Sequence, residues 1–485
     1  MRRLFSRCAS KGSLSVALIV AGVALSACGG GGDGGSGQPV TNNGSVAPAV
    51  PASTPSAAST PSAASAAQPA SAPQPASTPA TVTPASETGT TGNDKTPTND
   101  NNNSGNNDTP PPAPVADNTV PIDVVFDETV GRVVNMPYVS VTFCVPGTQG
   151  TSQCATVDHM LLDTGSVGVR VVASALNAAF VNKLPMETGA SNDTSGKAAI
   201  AQCALFASGY TWGSMRAADV TIGEKTASGI PIQLIGDSTF AQWAPNDCTS
   251  RGSGMNSVAQ LGANGIVGIG HLAQDYPDAA RYVLSANYYY CPTPWSCTAA
   301  SVPLGKQTAN PVAAFATDNN GTIIRLPALP ATGQASVTGE LVFGIGTRDN
   351  NALPASPSFL SVSDRGMFTT SYKGTTMSAA IDSGSNGLFF PDATLAVQGG
   401  WFAPATTQSL GGIMFSNTGN AQWTTRFLIA NATTLFSYGY AAHDNLGAPI
   451  NSMFLWGLPF FYGRSVYTAL SGMQAGAQTG PYVAF

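Results

Sequence analysis

Met160-Leu161-Leu162-Asp163-Thr164-Gly165-Ser166-Val167-Gly168-Val169 returns 219 residues later as Ala379-Ala380-Ile381-Asp382-Ser383-Gly384-Ser385-Asn386-Gly387-Leu388. The shared pattern is a run of apolar or small residues followed by Asp-[Thr/Ser]-Gly-Ser-x-Gly-[Val/Leu]. Two copies this far apart mark a duplication, one copy per lobe, and exclude a short-period solenoid. Each apolar run reads as a buried strand that ends in a turn. Gly165 and Gly384 let the backbone turn tightly and bring N–H groups to the preceding carboxylate. The hydroxyls of Thr164 and Ser383 can then bond across a pseudo-twofold axis. If the copies face each other, Asp163 and Asp382 meet, and two carboxylates about 3 Å apart share one proton. The ionised member can take a proton from water while the protonated one bonds a peptide carbonyl, the pair titrating as a unit. The expected catalytic residues are therefore Asp163 and Asp382, supported by Thr164, Gly165, Ser166, Ser383, Gly384 and Ser385.

Segments farther out extend the pattern. Each Asp turn is followed by an apolar-Gly stretch, Asn264-Gly265-Ile266-Val267-Gly268-Ile269-Gly270 for the first and Phe454-Leu455-Trp456-Gly457-Leu458-Pro459-Phe460-Phe461 for the second. With residues 136–143, 339–344 and 482–485 as further strands, the chain resembles the pepsin-like aspartic peptidases over most of 130–485. The resemblance implies an all-β, bilobal fold with a few short helices. It implies hydrolysis of a peptide bond by dyad-bound water, without a covalent intermediate, metal or cofactor. The chain also resembles a family of bacterial lipoproteins whose domain is described only as unknown in function.

Three features depart from the peptidase pattern. Arg170 stands where the family has a Trp, seven residues after the first Asp, and is expected to draw the carboxylates toward the ionised state. The family's flap carries a Tyr before a Gly-[Ser/Thr]-Gly hairpin. Here residues 208–214 offer Tyr210 or Trp212, either as flap residues or as aromatics packed at a hairpin. Residues 271–303, with Tyr288, Tyr289, Tyr290 and Trp295, read as an insertion that caps the core.

The N-terminus has a different character. Arg2, Arg3, Arg7 and Lys11 precede an apolar stretch from 14 to 25, shorter than the roughly 20 residues that span a bilayer. It ends Leu25-Ser26-Ala27-Cys28, which looks like a bacterial lipobox with Cys28 as the lipidation site. Residues 1–28 are thus expected to be a lipoprotein signal. Residues 29–118 run from glycines through Ala/Ser/Thr/Pro repeats to Asn/Gly-rich chain without aromatics. Such a segment cannot bury enough surface to offset its ordering entropy, and reads as a disordered tether. The folded body is expected over 119–350 and 351–485 as two lobes.

Composition narrows the function classes. Only 9% of residues are charged, and 20 Lys+Arg stand against 26 Asp+Glu. That balance excludes a basic nucleic-acid binder and a coiled coil. Short Val/Ile/Thr/aromatic runs at 138–144, 219–222, 230–235, 322–326, 340–343 and 424–430 read as strands. Helical turns are expected only near 174–181 and 278–285. Six cysteines remain beyond the signal, and an even number in an exported chain favours disulfides. Nearest-neighbour pairing joins Cys144 to Cys154, Cys203 to Cys248 and Cys291 to Cys297. Three histidines at no ligand spacing argue against zinc.

Two functions fit. One is an acid endopeptidase tethered to the cell envelope, most simply at the outer membrane. It would act as a monomer on a peptide or protein in the interlobe cleft. The other is an inactive protease-fold lipoprotein serving as a binding or assembly module.

Overall fold

Each apolar run before an Asp forms the buried end of a strand. Cys154–Asp163 buries its last four residues. It runs parallel to Gly265–Ile269, with Met160 opposite Gly265 and Asp163 opposite Gly268. On its other side Gly265–Ile269 lies antiparallel to Val167–Val172, the strand that leaves the Asp163 turn. The second copy repeats this arrangement. Thr375–Ile381 runs parallel to Met453–Trp456, which lies antiparallel to Leu388–Phe389. Both inserted strands are fully buried, which explains their unbroken apolar runs. The packing demands glycine at 268, where a Cβ would stand 2.8 Å from the Val167 backbone.

The computed structural model describes residues 116–485. The expected signal over 1–28, Cys28, and the tether up to 115 lie outside the described residues. The tether was expected to run to 118, but the folded body already includes its last residues. Asp117 pairs with Arg348 and with Lys225. Asn118 is buried, its amide donating to Phe343 O at 2.9 Å. Composition marked these polar residues as linker because their partners are distant in sequence.

A sheet of 15 strands spans the first half and crosses into the second. The crossing section runs Thr119–Val124, Val337–Phe343, Gly321–Leu326, Arg464–Ala469, Tyr482–Ala484 and Phe359–Ser361, antiparallel throughout. A second sheet of seven strands is built from residues between Phe368 and Trp456. One apolar core extends through both halves, from Val169 and Leu341 to Phe454 and Trp456. Among the described residues the longest helix, Ala432–Ser437, has six residues, and no helix is long and apolar enough to cross a membrane. The architecture is all-β with a few short helices, as the sequence implied.

The three disulfides join Cys144 to Cys154, Cys203 to Cys248 and Cys291 to Cys297. Helical turns occur at Ala173–Ala175 and Ala178–Val181. The one expected over 278–285 shrinks to a 3-10 turn, Pro277–Ala280. Beyond it, Asp247 captures the Ser285 hydroxyl and the Ala286 amide and turns the chain toward a strand. The insertion forms the hairpin Tyr288–Thr293 and Ser296–Ala299 beside Ala199–Phe206. Tyr288 and Tyr289 are buried within it, whereas Trp295 at its tip is 66% exposed.

Candidate active site

The parallel pairings bring the two Asp turns face to face. Four hydrogen bonds join them. Thr164 N donates to Ser383 Oγ, and Ser383 N to Thr164 Oγ1, each at 3.0 Å. Thr164 Oγ1 donates to Ile381 O at 3.2 Å, and Ser383 Oγ to Leu162 O at 2.8 Å. Each hydroxyl thus accepts from the opposite turn and donates to the strand before it, the role the pseudo-twofold reading assigned to these residues.

The carboxylates are held by matching bonds. Gly165 N donates to Asp163 Oδ1 at 2.8 Å, and the Ser166 hydroxyl donates to Asp163 Oδ2. Gly384 N donates to Asp382 Oδ1 at 2.9 Å, and Ser385 Oγ to Asp382 Oδ2 at 2.6 Å. Asp382 lies against the first turn, where a Cβ on Gly165 would stand 2.5 Å from its Oδ1, and the two carboxyls perturb each other. Both are 0% exposed. Burial pushes Asp382 well above the ordinary carboxylate range, and the negative charge of Asp163 pushes it further. Burial also raises Asp163, against the pull of Ser166, Asp382, the Gly165 amide and Arg170. Each carboxyl thus holds its proton more tightly than a free one, and neighbouring acids of this kind disfavour ionising together.

Arg170 draws Asp163 toward the ionised state, the expected direction, but its hydrogen-bonding partners lie elsewhere. Its Nη2 donates to Asp275 Oδ2 at 2.9 Å inside the protein, and its Nη1 to Val167 O at 2.8 Å. Gln202 and the Tyr288 hydroxyl complete the shell around Asp275. With its charge largely engaged by Asp275, Arg170 is the smallest influence on Asp163, which stays raised. Sequence could not pair it, because Asp275 lies 105 residues away and its other partners, Gln202 and Tyr288, stand 73 and 13 residues from it.

The flap expectation for Tyr210 and Trp212 is corrected. Trp212 is fully buried, its Nε1 donating to Phe240 O at 2.9 Å and its ring 5.4 Å from Tyr289. Tyr210 packs beneath the loop at Gly254. Both belong to the core of the hairpin Ala199–Phe206 and Gly209–Ile222. From that hairpin Ala204, Leu205 and Phe206 line the cavity next to Thr164, Gly165 and Ser166, Phe206 being the aromatic among them. Among the described residues, no group of three or more His, Cys, Asp or Glu is placed to hold a metal ion.

The family model described as "Protein of unknown function (DUF3443)" matches residues 114–485. The chain belongs to this family. The match takes in both Asp turns, both inserted strands and the shared sheet of the DUF3443 body. No curated protein matches the chain. Among solved structures, the chain is similar to the aspartic proteinase from Irpex lacteus at 16% sequence identity. That likeness covers 76% of this chain and 96% of that one, with a TM-score of 0.40.

Proposed function

We propose that this protein is an aspartic endopeptidase, held at the bacterial outer membrane by a lipid on Cys28. One observation carries the proposal: two buried carboxyls on turns that are bonded to each other, each cradled by a Gly amide and a Ser hydroxyl, with raised proton affinity. A fold has no structural need to bury two acids against each other, since the arrangement costs stability. In the proposed reaction the ionised carboxyl takes a proton from water as the oxygen adds to the peptide carbonyl. The protonated carboxyl hydrogen-bonds the carbonyl oxygen and stabilises the tetrahedral intermediate. Proton return to the amide nitrogen lets the C–N bond break, giving an acid and an amine and restoring the pair. The substrate is a peptide or protein bound beneath the hairpin that carries Phe206, and the enzyme acts as a monomer.

The test is digestion of a denatured protein by the purified chain between pH 3 and 7. Cleavage is expected below about pH 5, with Asp163→Asn and Asp382→Asn each abolishing it. Absence of cleavage across that range, or equal cleavage by the Asn variants, refutes the proposal. The full burial of both carboxylates favours a second reading, an inactive binding module on a protease scaffold. That reading requires no cleavage at any pH.

A further inference from the structure

One strand of the seven-stranded sheet is unpaired on its outer side. Gln422–Ile429 ends that sheet and pairs only with Gln408–Phe415, over eight residues without a shift of register. Just beyond it, Ala430 N donates away from the sheet to Asn445 O at 2.9 Å. Backbone direction alternates along an antiparallel strand, so Thr424, Arg426 and Leu428 point their N–H and C=O groups the same way. Among the described residues these groups form no hydrogen bond. Proteins usually blunt such an edge with proline, a bulge, charge or a short length. Here only the charge of Arg426 does so.

The open edge borders a cavity. The sheet curls until the Phe427 ring lies 5.4 Å from Trp456, which belongs to a strand four places away in the sheet. The space beside this edge measures about 330 Å³, within the range of ligand sites. Residues 425–428 form one wall in succession, and Leu388, Trp456 and Phe460 are apolar members of the rest. Arg426, Leu428 and Gly463 in the wall are exposed, so the space opens to solvent. Its charges have both signs, Arg426 and Arg464 against Asp444, and Arg464 already donates from Nη1 to Phe460 O at 2.6 Å. Selection there falls to the apolar wall rather than to charge. No residue of 163–168 or 382–387 lines the space, which is therefore separate from the dyad.

We infer that the open edge of Gln422–Ile429 is a peptide-binding site, which takes an extended segment with a large apolar side chain as an added strand. Donors and acceptors at alternate residues of a strand are matched by another extended backbone. The inward side chain of the guest enters beside Phe427, against Leu388, Trp456 and Phe460, and removing it from water favours the complex. The chain's own residues 29–115 do not supply this guest, because they hold no Leu, Ile, Met or aromatic residue.

The probe is a capped, fluorescent heptapeptide, Thr-Val-Thr-Phe-Thr-Val-Thr, titrated by anisotropy against the full chain at pH 7, where no hydrolysis is expected. Saturable binding is expected, with amide exchange over residues 422–429 slowed by the bound peptide. Replacing the central Phe of the probe by Ser should weaken binding about tenfold. Arg426→Pro removes one outward N–H and should weaken it about tenfold, whereas Arg426→Ala keeps that N–H and should bind within about twofold of the native chain. Two further probes, N-methylated at the Val and Phe positions or at the Thr positions, test the same contact without altering the protein. Only one of them should lose binding, since one set of N–H groups faces the strand. Absence of saturable binding, unchanged exchange over 422–429, equal effects of Arg426→Pro and Arg426→Ala, or equal binding of the two methylated probes overturns the site. A dimer of the free chain in sedimentation that Arg426→Pro dissociates also overturns it, because a second copy then fills the edge.

Discussion

At Gly165 the two halves meet at the distance of a single atom: a Cβ there would stand 2.5 Å from Asp382 Oδ1. Gly165→Ala should therefore force the carboxyls apart, abolishing hydrolysis while the circular dichroism spectrum stays that of an all-β protein. Retained hydrolysis would show that the contact is not needed. Asp382 makes a second case. Its folded pKa is raised, so its stabilising contribution is complete below the unfolded value near pH 4 and is lost as pH rises through the folded value. Asp382→Asn removes that loss. The variant should melt about 2–4 °C above the native protein at pH 7, with the gap closing toward pH 4. Melting curves at both pH values check this, and a lower melting temperature at pH 7 contradicts it.

Among the elements, the disulfides offer a ranking. Cys203–Cys248 spans 45 residues, Cys144–Cys154 spans 10 and Cys291–Cys297 spans 6. Loop-closure entropy gives about 4, about 2.7 and about 2.2 kcal/mol respectively. Replacing each pair by alanine and measuring denaturant midpoints should reproduce that order, with the first pair costing most. Legibility in the sequence divides along the same line of separation. The Asp turns and their inserted strands could be read because each is a continuous run of residue types with one structural meaning. The short disulfides could be read for a similar reason, since proximity in sequence limits the choices. Arg170 could not be placed, because its partner Asp275 lies 105 residues away and looks like any other loop acid. Phe206 is harder to read, because it stands before the hairpin turn whereas Tyr210 and Trp212 stand after it.

For the molecule as a whole, the deciding feature is the sheet that both halves share. Gly321–Leu326 pairs over six residues with Arg464–Ala469, the two Asp turns exchange four buried hydrogen bonds, and the apolar core is continuous. Cooperative loss of all three is expected, so calorimetry should record one transition with equal calorimetric and van't Hoff enthalpies. Two separable transitions would mean that the halves are independent domains. Nothing in the local residue pattern announces this pairing, because strands that join distant segments carry the same alternation as strands that join neighbours.

The same sheet sets when the protein becomes competent. Thr119–Val124 waits for Val337–Phe343, and Gly321–Leu326 waits for Arg464–Ala469. Contacts this distant in sequence form late, since loop closure must be met before they are rewarded. During synthesis a chain that has made both aspartates but not residues 464–469 has no strand to bind its halves, and the carboxyls stay apart. Assembly order therefore keeps the two carboxyls apart until nearly all of the chain is in place.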